Sequence, residues 1–234
     1  MKKKQTFDLR NREQEMADIK TLHLTFVNAF LVKAREGFVL IDTGLSMHWE
    51  KLESELISAG CLPDQLKLVV ITHGDLDHCG NCRKLQEKYG ARIAMHKADE
   101  PMVRNGLIRK RKIKSIRSKF FFLLKTIFNS RLEYKKFTPD IYLAAGQSLQ
   151  EYGLDVTVIH MPGHTHGSIG VLTDDGSLIA GDTFTNNKYP ATARLVENQN
   201  ELEMSLARLK KLNIKKIYPG HGLPFEMETI MHRL

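Results

Sequence analysis

The segment Thr72-His73-Gly74-Asp75-Leu76-Asp77-His78 sets four potential metal ligands within six residues, directly after the apolar run LKLVVI. In an extended turn the side chains of His73, Asp75 and Asp77 point one way, and His78 swings toward a second position. Two histidines and two aspartates also fit a solvated, helix-capping turn when read alone. Three further blocks argue otherwise. Pro162-Gly163-His164-Thr165-His166-Gly167 follows VTVIHM, Gly181-Asp182-Thr183 follows SLIA, and Pro219-Gly220-His221-Gly222 follows KKIY. Histidine and aspartate set in glycine after buried strands are what a preassembled metal site needs: glycine permits tight turns, and rigid strands fix the ligands.

The elements that must hold these blocks are legible in outline. Residues 22–42 are β-rich, with Arg35-Glu36-Gly37 as a turn between two strands. Trp49, Leu52, Leu56 and Ile57 recur at helical spacing and end at Gly60. A buried strand is expected over 67–72, a helix over 80–89 stopping at Gly90, and a strand over 92–96. Further β-like runs lie at 155–161, 169–173 and 178–180, followed by a helix over 201–212 and a strand over 216–218. Strands alternating with helices predict an α/β fold, with each polar cluster exposed where an apolar strand ends. No internal repeat or Pro/Gly-rich linker divides the chain, so one domain over 1–234 is expected.

With these blocks in order, the sequence resembles the metallo-β-lactamase fold superfamily, in its glyoxalase II and lactonase-like branch. Ile41-Asp42-Thr43-Gly44 matches the first of five motifs, His73–His78 the second, and His164, Asp182 and His221 the third to fifth. The resemblance spans roughly 22–222. It implies an αβ/βα four-layer sandwich of two mixed sheets flanked by helices, with two divalent metal ions at one edge. His73, Asp75 and His164 would hold one ion; Asp77, His78 and His221 would hold the other, with Asp182 between them. Asp42 would orient the ligands from behind, although it also fits a simple turn-former before Gly44. The departure is Asp75, where most members carry histidine. A carboxylate is harder, so zinc leads while iron or manganese gain ground.

The expected chemistry is hydrolysis of an ester-like bond in a small molecule, such as a thioester or lactone. Between two close cations a water's pKa falls to roughly 7 and hydroxide becomes available at neutral pH. Asp77 is the candidate for steering the water proton. His166 and Tyr189 are candidates for the substrate pocket, and Tyr189 equally fits plain packing. Cys79 and Cys82 form a C-x-x-C whose place at a helix start favours buried packing over redox or metal chemistry. Thirteen residues follow His221, short of the helical domain that holds glutathione in related hydrolases, and Thr185 stands where related lactonases match a tyrosine. Two other readings remain: an iron oxidoreductase like the family's persulfide dioxygenases, and a non-enzymatic metal-bound ligand sensor.

Hydrophobic content of 42% with 26% charged residues is that of a folded water-exposed protein. The net charge of +8 is concentrated: residues 107–136 hold eleven Lys and Arg against Glu133 alone, which gives +10 and leaves −2 for the rest. Within it Ile113, Ile116, Phe120, Leu123 or Leu124, and Ile127 recur at helical spacing. A solvated helix on the core, a lid over an apolar or acyl substrate, and a helix lying on an anionic membrane all fit this basic amphipathic insertion. Nucleic acid is not expected as a partner. The N-terminus lacks an apolar signal-peptide core, no run is long enough to span a membrane, and three cysteines cannot form a disulfide framework. A cytoplasmic location is expected.

Overall fold

The computed structural model describes residues 18–106 and 135–234. The basic segment expected over 107–136 therefore lies, apart from Lys135 and Lys136, outside the described residues. The chain opens with β1 (Ile19–Leu24), β2 (Val27–Ala34) and β3 (Gly37–Ile41), paired antiparallel in sequence. Three strands stand where the sequence pattern separated two, because a two-residue turn at Thr25-Phe26 is tight enough to escape notice. Thr25 adopts φ 67° there, the left-handed region that short hairpin turns demand.

A crossover through α1 (Trp49–Ser58) brings β4 (Leu66–Ile71) parallel to β3. A second, through α2 (Leu76–Cys79) and α3 (Cys82–Tyr89), brings β5 (Arg92–His96) parallel to β4. After α4 (Glu100–Asn105), β6 (Ile141–Leu143) completes a six-stranded sheet in the order β1-β2-β3-β4-β5-β6. Gly90 ends α3 in the left-handed conformation, as its position after the periodic run predicts.

The second sheet is built from β7 (Val156–His160), β8 (Ile169–Thr173), β9 (Ser177–Asn186), β10 (Ala191–Thr192), β11 (Lys216–Gly222) and β12 (Phe225–Glu226). Its order is β12-β11-β9-β8-β7, with β10 pairing on β9. Helix α5 (Gln199–Leu209) precedes β11 and short α6 (Glu228–Met231) follows β12.

The period-two alternation of these strands sorts their side chains into three apolar layers. Ala29, Leu31, Leu40, Val69, Ile71, Ile93 and Met95 face Leu52 and Leu56 of α1 and Leu85 and Tyr89 of α3. Their neighbours Phe30, Val32, Val39, Ile41, Val70 and Ala94 face Val156, Val158, Val171 and Ile179 of the other sheet. Leu178, Ala180, Phe184 and Ile217 in turn face Leu202, Leu206 and Leu209 of α5. Central strands buried on both faces explain the continuous apolar run of β4. The result is helix, mixed sheet, mixed sheet, helix: the four-layer α/β sandwich expected from the motifs.

Two sets of bonds clamp the sheets together where the polar loops emerge. Ile169 N–H at the start of β8 donates to Thr72 O just past β4, at 2.9 Å. Buried Asn28 of β2 donates its amide to Pro219 O at 2.9 Å and Gly222 O at 2.7 Å in β11. His23 beside it fixes the Asn28 carbonyl, with Nδ1 2.9 Å from Oδ1.

Candidate metal centre

All seven sequence-predicted ligands converge at this edge of the sandwich. Potential ligand atoms of His73, Asp75 and His164 lie within 4.8 Å of one another, as do those of Asp77, His78 and His221, and those of His73, His78 and Asp182. Asp182 spans the two halves. Its Oδ1 is 3.3 Å from His78 Nε2, and its Oδ2 is 3.3 Å from His221 Nε2 and 3.7 Å from His164 Nε2. On one side Asp75 Oδ2 sits 3.5 Å from His73 Nε2 and 3.4 Å from His164 Nε2; on the other Asp77 Oδ2 is 3.6 Å from His221 Nε2.

The four imidazoles share one orientation logic. Each engages its Nδ1 with a group behind it and turns Nε2 inward. His78 Nδ1 is 2.8 Å from Asp42 Oδ2 and His73 Nδ1 is 3.0 Å from Thr72 Oγ1. His164 Nδ1 is 2.6 Å from Leu195 O, and His221 Nδ1 is 2.6 Å from Phe26 O. An acceptor on Nδ1 fixes the tautomer that leaves the Nε2 lone pair for a metal. Asp42, fully buried at φ 60°, also accepts from Thr72 N–H and Thr72 Oγ1, both at 2.8 Å. It thus stands behind His78 directly and behind His73 through Thr72.

The donor set, imidazole and carboxylate together, fits divalent metal binding. His73 Nε2, His78 Nε2 and Asp182 Oδ1 are buried without a hydrogen-bond partner, an arrangement that costs about 1–3 kcal/mol per group unless something binds there. Charge redistributes accordingly among the side chains. Burial alone would depress the His221 imidazole, but Asp182 beside it overrides this and pushes its pKa up to about 9. Burial likewise opposes protonation of His78, and Asp182 and Asp42 together outweigh it, holding the ring's pKa well above the usual range. Against its own burial, Asp182 is kept well below the usual carboxylate range by His221 and His78.

Local backbone differs from the sequence reading in two respects. Asp77 and His78 sit on α2, a helical turn, so the motif is not extended throughout: the chain bends over Thr72–Gly74, and Asp75 before the helix is extended. Asp182 and His221 lie inside β9 and β11, not past the ends of shorter strands. The parallel pairing of β9 and β11 is irregular at this point, with register shifts between Tyr218 and His221 that aim both side chains at the site. Gly220 permits the approach: a Cβ there would collide with Asp182 Oδ1 and stand 2.8 Å from His78 Cε1.

Neither pocket candidate is among the grouped ligand atoms. His166 is exposed, its Nδ1 2.9 Å from Glu201 Oε2. Tyr189 is half exposed, and its hydroxyl accepts from Arg194 at 3.0 Å. Cys79 and Cys82 form no disulfide and are buried within the layer between the first sheet and its helices. Burial, then the neighbouring Cys79, pushes the Cys82 thiol well up, the state of an inert packing cysteine. Sequence reasoning missed Asp99. Fully buried, it accepts from Gly74 N–H, Thr165 Oγ1 and Gly167 N–H, each at 2.8 Å. Among the described residues no helix is long and apolar enough to cross a membrane.

Comparison with known proteins agrees with this architecture. Residues 24–221 match the model of the metallo-beta-lactamase superfamily. A probable metallo-hydrolase of Methanocaldococcus jannaschii, MJ0888, is 26% identical over 200 residues, covering 83% of this chain and 87% of its own. The acyl-coenzyme A thioesterase MBLAC2 of Homo sapiens is 25% identical over 217 residues, covering 87% and 75%. Among solved structures, the metallo-beta-lactamase family protein TTHA1429 of Thermus thermophilus superposes with TM-score 0.69 at 22% identity, covering 93% and 76%. The family match over most of the chain, joined to this sandwich and its His/Asp edge, shows that the chain belongs to the metallo-beta-lactamase superfamily, as one of its hydrolases.

Proposed function

We propose that the chain hydrolyses an ester-like bond of a small molecule, such as a thioester or lactone, at a site for two divalent ions. The observation that carries this reading is the inward convergence of four Nε2 atoms with the carboxylates of Asp75, Asp77 and Asp182, three of these ligand atoms being buried without a well-formed hydrogen bond. His73, Asp75 and His164 would hold one ion and Asp77, His78 and His221 the other. Asp182, within reach of both sets, would bridge them. When bound, such a pair polarises a carbonyl oxygen and makes a water nucleophilic near neutral pH.

The chain's own groups supply the rest. Phe26 O, Leu195 O, Thr72 Oγ1 and Asp42 hold the imidazoles in one tautomer, so little reorganisation is needed when charge develops. Asp77 would accept the proton that the attacking water gives up. Zinc leads as the metal, while the added carboxylate of Asp75 favours manganese or iron over an all-imidazole set.

The kinship with a protein named as an acyl-coenzyme A thioesterase supports trying thioesters first. Hydrolysis of acyl thioesters and lactones would be followed with and without chelator, in the wild type and in Asp182→Ala. Turnover of one class, abolished by chelation and by the substitution, is expected. Turnover indifferent to both would overturn the proposal. A second reading is an oxygen-using iron enzyme with its ion held by His73, His164 and Asp182, a two-histidine, one-carboxylate set whose Asp182 Oδ2 lies 3.7 Å from His164 Nε2. Oxygen uptake by iron-loaded protein, without hydrolysis, would decide for it.

A further inference from the structure

We infer that Asp99 is a positioning residue for one half of the centre, setting the His73–Asp75–His164 ligands as Asp42 sets His78. The inference rests on the metal reading above and adds a residue that no motif contains. Asp99 precedes α4 in the sequence Asp99-Glu100-Pro101, where an aspartate ordinarily caps its own helix. Here its side chain makes no capping bond. Instead, Oδ2 accepts from Gly74 N–H and Thr165 Oγ1, and Oδ1 accepts from Gly167 N–H, each at 2.8 Å.

Those three donors flank the ligands of a single half-site. Gly74 lies between His73 and Asp75, and Thr165 follows His164 directly. One fully buried carboxylate therefore ties together two loops that are far apart in sequence and that carry all three ligands. Ser168 Oγ braces the same loop, 2.8 Å from Thr165 Oγ1 and 3.0 Å from Thr165 N, which donates to it. The loops are shaped to close on Asp99. A Cβ on Gly167 would collide with Asp99 Oδ1 and lie 2.5 Å from its Cγ, and a Cβ on Gly74 would press on Asp99 O at 3.3 Å. Groups behind metal ligands typically govern affinity by about 10- to 100-fold. Because the three donors adjoin His73, Asp75 and His164, while Asp77 and His78 follow on a helical turn of their own, that leverage falls chiefly on one ion.

The test titrates metal-free full-length protein with Co2+, following the visible absorption of each bound ion. In Asp99→Asn the amide keeps the shape but presents N–H to an N–H or hydroxyl donor. One equivalent should weaken at least about tenfold, and the band that changes should be the one lost in Asp75→Ala. The band lost in Asp77→Ala should remain. Thr165→Val, which removes one donor only, should weaken the same equivalent by less, and it decides the matter if Asp99→Asn does not fold. Unchanged titration of both equivalents, or equal weakening of both, would overturn the role of Asp99 and leave the metal reading standing. Wild-type protein that takes up no cobalt would overturn both together.

Discussion

Asp42 Oδ2 stands 2.8 Å from His78 Nδ1, with both side chains fully buried, and this contact aims the opposite ring nitrogen at Asp182. The same carboxylate holds Thr72 at N and Oγ1, so a single residue outside the ligand set governs two histidines. Asp42→Ala would strand three buried donors. At about 1–3 kcal/mol for each unsatisfied group, the loss approaches the whole stability of many domains. Asp42→Asn keeps the side-chain volume, so it should fold with a reduced melting temperature and bind metal about 10- to 100-fold more weakly. Calorimetric titration of the metal-free variant measures this; wild-type affinity would contradict the orienting role.

Metal removal should uncover an opposite dependence on pH. His221 has its pKa raised to about 9 in the metal-free chain, so the folded state holds a proton that the unfolded state releases near 6.5. That contribution is fully present below pH 6.5 and is lost as pH rises through 9. Stripped protein should therefore melt at lower temperature as pH climbs from 6.5 to 9. Metal displaces this proton, so apparent metal affinity should rise over the same window, by about tenfold per pH unit for each proton displaced. Melting curves of both forms across that range check the prediction; parallel slopes would refute it.

Gly220→Ala should damage the centre through sterics alone. Its added Cβ would meet the Asp182 carboxylate and the His78 ring, and relieving that contact costs about 1–3 kcal/mol. Gly60→Ala is the control: nothing lies within 4 Å of its Cβ, and only the left-handed φ of 77° is strained, at about 1–2 kcal/mol. Both variants should lose some stability, but only Gly220→Ala should lose metal uptake, measured by elemental analysis after reconstitution.

How much of this was legible depends on what each residue's neighbours show. The run LKLVVI reads as a buried strand because both its faces are covered, and the His73–His78 cluster reads as ligands because it follows at once. The extensions of β9 through Asp182 and β11 through His221 are hidden, since polar and glycine residues interrupt the apolar pattern that marks a strand. Asp77 and His78 read as extended for the same reason: a four-residue helix is too short to show a period. Asp99 is disguised as a helix cap. The carbonyls of Phe26 and Leu195 leave no trace in sequence, because any residue supplies a backbone oxygen.

His166→Gln probes a residue that its nearness to His164 in sequence suggested for the pocket. Its ring pairs with Glu201 on an exposed face, and such pairs contribute about 0–1 kcal/mol. Stability should change within that range, and metal stoichiometry should not change at all. A lost equivalent would bring His166 into the centre.

The central claim is tested most directly by elemental mass spectrometry of protein purified without added metal, beside Asp182→Ala, the residue within reach of both ligand sets. About two divalent ions per chain are predicted in the wild type, as a two-metal site requires, with clear loss in the variant. Absence of metal from both proteins after reconstitution, or equal content in both, would contradict the account.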